Sequence, residues 1–270
     1  MGEFTPVIGL EIHAELLTKT KIFCGCESKF GGKPNSRVCP VCLGFPGTLP
    51  RLNAKAVELA IKAGGLFGCD INKVSKFDRK SYFYPDLPKG YQITQFDTPI
   101  CTNGRAGIVR IKQIHLEEDA GKLMHAGEGV SEIDFNRAGV PLIEIVTEPD
   151  FRNGEEVADF LNDTRTRLRN ELISDCKMEQ GSFRCDVNIS LKESGVRCEI
   201  KNLSSIRGTK RAIQAETERQ SEILRAGGVI EAVTLRFDEK KRTVTPMRKK
   251  EEGADYRYFR EPDLPPLVLE

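Results

Sequence analysis

Nine cysteines and a recurrent set of strand-borne acids are the residues of this chain whose types and spacing can support chemistry. Cys24-Gly-Cys26 and Cys39-Pro-Val-Cys42 form two tight thiol pairs on either side of a short polar stretch. Four thiolates so arranged suit a closed, tetrahedral zinc site with no open position for catalysis. Gly25 lets the first pair turn sharply, and Pro40 stiffens the second knuckle. The expected result is a small zinc knuckle over residues 22–45, in which metal binding and local folding are linked. Cys69, Cys101, Cys176, Cys185 and Cys198 lie among alternating or helical patterns and read as core.

The acids follow a period of two. Ile8, Leu10, Ile12, Ala14 and Leu16 alternate with Gly9, Glu11, His13 and Glu15. Ile114 and Leu116 stand against His115, Glu117 and Asp119, with Glu118 closing the run. Ile143 and Ile145 alternate with Glu144, Val146 and Glu148. Cys185, Val187, Ile189 and Leu191 oppose Arg184, Asp186, Asn188 and Ser190, and Cys198 and Ile200 oppose Arg197, Glu199 and Lys201. Such strands belong in an antiparallel sheet with one face on the core and one solvated. For any one strand an ordinary wet face suffices. For the set, a cation-binding cradle is the better reading, because clustered carboxylates repel unless a cation or substrate offsets them.

Helices separate these strands. Asn53 is a candidate N-cap for a helix to about Gly68, with Ala56, Leu59, Ala60 and Ala63 on one stripe. A second spans about Glu155 to Ile173, with Val157, Phe160, Leu161, Thr164 and Leu168 inward. A third starts near Thr209 and stops at Gly227-Gly228. Without regular β-α alternation the class is α+β. Segments 68–105 and 228–270 are rich in Pro, Gly, Lys and Asp and are expected to be long ordered loops.

Several functions are excluded or disfavoured. The chain has 270 residues and a formal net charge of +1, so no global basic field advertises nucleic acid. There is no P-loop, no dinucleotide fingerprint and no Gly-x-Ser-x-Gly elbow. No apolar run is long enough for a bilayer, the N-terminus does not read as a signal peptide, and cysteine usage fits a reducing cytoplasm.

Longer stretches carry a resemblance. Val7-Ile8-Gly9-Leu10-Glu11-Ile12-His13, Ser75 to Asp86 (SKFDRKSYFYPD), and His115-Leu116-Glu117-Glu118-Asp119-Ala120-Gly121-Lys122 resemble the B-subunit family of aspartyl/glutamyl-tRNA(Asn/Gln) amidotransferases. So do Asn136-Arg137 through Glu148-Pro149-Asp150, Arg184-Cys185-Asp186, Glu199-Ile200-Lys201-Asn202-Leu203 and Asp255-Tyr256-Arg257-Tyr258-Phe259. The cysteine quartet is similar to that of the family's zinc-containing branch. The resemblance implies a catalytic cradle over 1–270, similar to the glutamine synthetase and guanidino kinase fold, with helices on the outer face. It also implies a reaction: ATP phosphorylates the side-chain carboxylate of misacylated Glu-tRNA(Gln) or Asp-tRNA(Asn), and ammonia from a partner amidase A subunit displaces the phosphate. A small C subunit completes the implied heterotrimer.

Bringing a carboxylate against a triphosphate crowds negative charge, which Mg²⁺ would offset. Glu11, His13, Glu117 or Glu118, Asp186 and Glu199 are the candidate magnesium ligands. Alternation favours Glu117, but Glu118 ends its strand, so both stand. Lys80 and Arg79 are candidates for phosphate charge, Tyr82 for stacking on the tRNA acceptor end, and Arg184 for a phosphate or a cross-sheet ion pair. His115 reads as a core or surface histidine. The family's C-terminal helical and tail domains have no counterpart here, so little net amidation is expected from this chain alone. Two other readings compete: a glutamine-synthetase-like ligase acting on a small molecule, and a non-enzymatic zinc module that binds RNA or a partner.

Overall fold

The computed structural model describes residues 4–127, 129–249 and 256–269. In chain order the elements are β1 (Pro6–Glu15), α1 (Ala54–Leu66), β2 (Asp70–Ile71), β3 (Val74–Ser75), β4 (Asp78–Ser81), β5 (Tyr91–Thr94), β6 (Cys101–Ala106) and β7 (Val109–Glu118). They continue with β8 (Lys122–Gly127), β9 (Val130–Asp134), β10 (Pro141–Thr147), α2 (Gly154–Asn170), β11 (Phe183–Leu191) and β12 (Cys198–Lys201). The last are α3 (Ile206–Arg225), β13 (Val233–Asp238), β14 (Thr243–Lys249), β15 (Phe259–Arg260) and β16 (Leu267–Val268). No described helix is long and apolar enough to cross a membrane.

Nine strands form one sheet in the order β14-β13-β12-β11-β1-β10-β7-β6-β2. Every neighbouring pair is antiparallel except β12 and β13. This matches the α+β expectation. Strand β1 lies at the centre of the sheet, and its even-numbered apolar residues are buried: Ile8, Leu10, Ile12 and Ala14 join one core with Ile143, Ile145, Cys185, Val187 and Ile189. The stripe of α1 (Ala56, Leu59, Ala60, Ala63), that of α2 (Val157, Phe160, Leu161, Leu168), and Ala212 and Ile213 of α3 close the same core. The helices therefore cover the apolar face and leave the acid-bearing face free. Gly64 lets α1 approach the sheet, since a Cβ there would lie 2.4 Å from Cys101 Sγ.

Helix starts follow capping chemistry. Asn53 Oδ1 accepts from Lys55 N, Asn153 Oδ1 from Glu156 N, and Ser205 Oγ from Gly208 N, each at 2.9 Å. The third helix thus begins at Ile206, one turn before the Thr209 expected. Cys101, Cys176, Cys185 and Cys198 are buried as expected, whereas Cys69 is only partly so.

The two long loops require correction. Residues 68–105 contain β2 to β6, and 228–270 contain β13 to β16. Their strands are two to seven residues long, and some find partners far away in sequence: Phe259 pairs with Arg79, and Leu267 with Ser75. Local periodicity carries no trace of such pairing. Asp255, from one of the resembling stretches, lies outside the described residues.

Ile12 has no accessible surface at the sheet centre. Ile12→Ala should lower unfolding stability by roughly 2–5 kcal/mol, read as a shift in the urea midpoint at unchanged slope.

Candidate active site and four-thiol centre

Strand register decides which acids meet. On the free face His13 lies opposite Glu144 on one side and Arg184 on the other, and Glu144 lies opposite His115. Glu11 faces Asp186, and Asn188 faces Glu199. A β-bulge in the β7–β10 pairing leaves Lys112 as the extra residue. It reverses the parity of β7, so that Val109 and Ile111 point to the core but His115 and Glu117 point to the free face.

The side chains gather in three adjoining groups. In the first, one oxygen each of Glu11, Asp186 and Glu199 lies within 4.8 Å of the others. Lys201 Nζ bridges Asp186 Oδ2 at 2.9 Å and Glu199 Oε1 at 3.0 Å, and Asn188 Nδ2 donates to Glu11 Oε1 at 2.9 Å. In the second, His13, Glu117 and Glu144 come together equally closely. His13 Nε2 lies 3.6 Å from Glu117 Oε1 and 3.5 Å from Glu144 Oε2; His115 Nε2 lies 3.5 Å from Glu117 and 3.1 Å from Glu144. In the third, Arg184 Nη1 donates to Asp119 Oδ2 and to Gly181 O, both at 2.8 Å, with Arg137 Nε 3.7 Å from Asp119.

Burial and charge act against each other throughout. Burial, then the nearby Glu144 charge, pushes the Glu11 carboxyl up. Burial alone would neutralise Glu144, but His115 and His13 outweigh it and hold its carboxyl well below the usual range. Burial likewise works against protonated imidazoles, yet Glu144 and Glu117 raise His13 and lift His115 to about 10. Lys201 is raised by Asp186 and Glu199 in spite of its burial. Burial and the Asp119 charge bring Glu15 to about 8.

The first group offers only oxygen and suits a hard cation. Around an octahedral magnesium neighbouring oxygens lie about 3 Å apart and opposite ones about 4 Å, so these three oxygens would draw closer together on a bound ion. The second group adds an imidazole to two carboxylates. Lys80 stands beside it: burial would lower its pKa, but Tyr258, Glu117, Glu144 and Tyr256 raise it, and its ammonium lies 4.7 Å from the Tyr256 ring centre. Tyr82 stacks on Tyr84 at 5.8 Å and meets Tyr256 at 6.1 Å; Tyr256 meets Tyr258 at 6.0 Å, and Tyr258 stacks on Phe96 at 4.1 Å.

Other expected site residues are placed elsewhere. Glu118 projects to the opposite face from Glu117, where it pairs with Lys89 and accepts from Ile93 N. Arg79 points away from Lys80 and binds Glu261 through Nε and Nη2 at 2.7 and 2.8 Å, with Asp263 at 2.9 Å and the Tyr91 ring at 4.3 Å. It is a structural clamp on β15. Arg184 takes the cross-sheet ion-pair alternative.

Glu144, His115 and Lys201 were readable from the parity that selected Glu11 and Asp186. Tyr256 and Tyr258 were not, because their approach depends on the remote pairing of β15 with β4. Among the cysteines, one sulfur each of Cys24, Cys26, Cys39 and Cys42 lies within 4.8 Å of the rest, and Cys39 and Cys42 are 3.9 Å apart. Tetrahedral zinc–thiolate bonds of about 2.3 Å put sulfurs about 3.8 Å apart, so the donor set and spacing fit that ion. Glu144→Gln should bring His115 down from about 10 toward the ordinary histidine range, as followed by imidazole NMR titration.

Comparison with known proteins gives one consistent result. A family model described as the GatB/GatE catalytic domain matches residues 6–270. The chain is 55% identical to the B subunit of the aspartyl/glutamyl-tRNA(Asn/Gln) amidotransferase of Caldicellulosiruptor saccharolyticus, 52% to that of a Thermoanaerobacter species, and 54% to that of Clostridium beijerinckii. These alignments cover 98–99% of the chain but 59% of each relative, so the chain spans somewhat under two thirds of their length. Matched over nearly its full extent by the model and by relatives at more than half identity, the chain belongs to the GatB/GatE catalytic domain family.

Proposed function

We propose that this chain is the catalytic cradle of a tRNA-dependent amidotransferase, an ATP-dependent carbon–nitrogen ligase that uses glutamine as amide donor. It converts Glu-tRNA(Gln) or Asp-tRNA(Asn) to the amide with ammonia from an amidase A subunit, in a cytoplasmic heterotrimer with a small C subunit. The observation that carries this reading is the meeting, on one sheet face, of an all-carboxylate group (Glu11, Asp186, Glu199) with a His-carboxylate group (His13, Glu117, Glu144). A face that bound nucleic acid through phosphate contacts alone would be basic. The sheet with helices on one face supports a cradle of the glutamine synthetase and guanidino kinase type.

A carboxylate is a poor acyl donor because it has no leaving group, and phosphorylation by ATP supplies one. Glu11, Asp186 and Glu199 would hold one Mg²⁺, and His13, Glu117 and Glu144 a second. The ions, when bound, offset the charge of carboxylate and triphosphate. Lys80 is placed to meet the transferred phosphate charge, and His115 keeps Glu144 ionised and orients Glu117. Tyr82, with Tyr84, Tyr256 and Tyr258, forms an aromatic wall on which unpaired bases of the acceptor end would stack. The four cysteines would hold a structural zinc whose closed donor set leaves it no part in the reaction.

The test is a reconstituted assembly with A and C subunits, misacylated tRNA, ATP and Mg²⁺. Losing a ligand to a charge-stabilising ion costs several kcal/mol, so Glu11→Gln should reduce amidation on the order of 100-fold or more, while glutamine hydrolysis by the A subunit persists. Normal amidation by Glu11→Gln would overturn the reading. Amide formation from free glutamate, ATP and ammonia without tRNA would replace it with a small-molecule ligase.

A further inference from the structure

Lys21 is among the largest fully buried side chains, with 1% of its surface accessible. A lysine is almost never fully buried unless its charge is paired. Its ammonium makes two contacts: Phe135 O at 3.2 Å and Cys42 Sγ at 3.6 Å. Among the described residues no carboxylate pairs with it. The cavity it lines, about 220 Å³ between the cysteine knuckle and β5, contains two other charged side chains, Lys89 and Glu118, and these pair with each other. The charge of Lys21 is thus shared between one backbone carbonyl and one sulfur.

That sulfur is itself unusual in its surroundings. Cys42 Sγ also accepts from Cys39 N at 3.2 Å. A neutral thiol is a weak acceptor, whereas a thiolate attracts both an amide and an ammonium. Lys21 is also tied into the knuckle by its backbone, for Lys21 N donates to Cys26 O at 2.9 Å and Ile22 N to Gly139 O at 2.9 Å. Gly139, at φ +83°, leaves room for the lysine stem: a Cβ there would be 3.5 Å from Lys21 Cδ and 3.7 Å from Cys42 Cβ.

We infer that Lys21 is a positioning residue of the four-thiol metal centre, its buried ammonium being the counter-charge for a metal-loaded, thiolate form of Cys42. The inference rests on the zinc reading given above. Four thiolates on a divalent ion carry a net charge of −2, and a buried cation against one sulfur halves it. Without the metal, the same cation is left facing a weak acceptor. Lys21 therefore favours the loaded state over the empty one.

The experiment measures zinc affinity of the full chain by competition with a chromophoric chelator, together with thermal midpoints of loaded and metal-free protein. Outer partners of metal ligands contribute about 10- to 100-fold to affinity. Lys21→Met should weaken zinc binding by that factor, lower the midpoint of the loaded protein, and leave the metal-free midpoint equal or higher. Lys21→Gln, which can still donate to Phe135 O, should behave like Lys21→Met, and Lys21→Arg should recover most of the affinity. If wild type and both neutral variants hold zinc equally, the inference is overturned while the zinc reading stands. Equal falls in both midpoints would make Lys21 a purely structural lysine. A wild-type chain that binds no zinc at micromolar concentration would remove both.

Discussion

Like charge crowded onto one sheet face is the constraint around which the rest of the molecule is arranged. Glu11, Glu117, Glu144, Asp186 and Glu199 project from five neighbouring strands, with Asp119 at the end of β7, and their partial or full burial weakens the screening of their charges. Each group has its own internal cation: Lys201 in the first, His13 and His115 in the second, Arg184 and Arg137 in the third. These contacts orient the acids without cancelling them, and they hold Glu144 and Asp119 ionised against their burial. On the opposite face, continuous apolar packing against three helices supplies the stability with which the sheet tolerates that concentration of charge.

Much of this was legible in the residues. Alternation places Glu11 and His13 together on β1, and a one-residue slip of the strand would turn Ile8, Leu10, Ile12 and Ala14 out of the core as a set. The same rule separates Glu117 from Glu118. Hidden from it was the grouping of acids into two sets, which depends on cross-strand register: Glu11 sits beside Asp186, whereas His13 sits beside Glu144. The Lys112 bulge is equally silent, because an inserted residue looks like one more polar position.

Arg79 and Lys80 show a different limit. Both are basic residues in one short strand and carry equal weight when read as sequence. In the fold they point to opposite sides, one fixed in a bidentate pair with fully buried Glu261 and the other directed to the acids. Their difference comes from a partner almost 200 positions away. Whether a basic residue serves a ligand or the scaffold is decided by what reaches it from elsewhere in the chain.

The chain has five tyrosines and no tryptophan. Tyr82, Tyr84, Tyr256 and Tyr258 form the wall beside Lys80, and Tyr91 lies under Arg79 in the adjoining strand. Four of its five tyrosines therefore report from this one corner. The helices and the far sheet edge are optically dark by comparison, so the protein has an intrinsic, label-free probe at the place where its chemistry is concentrated.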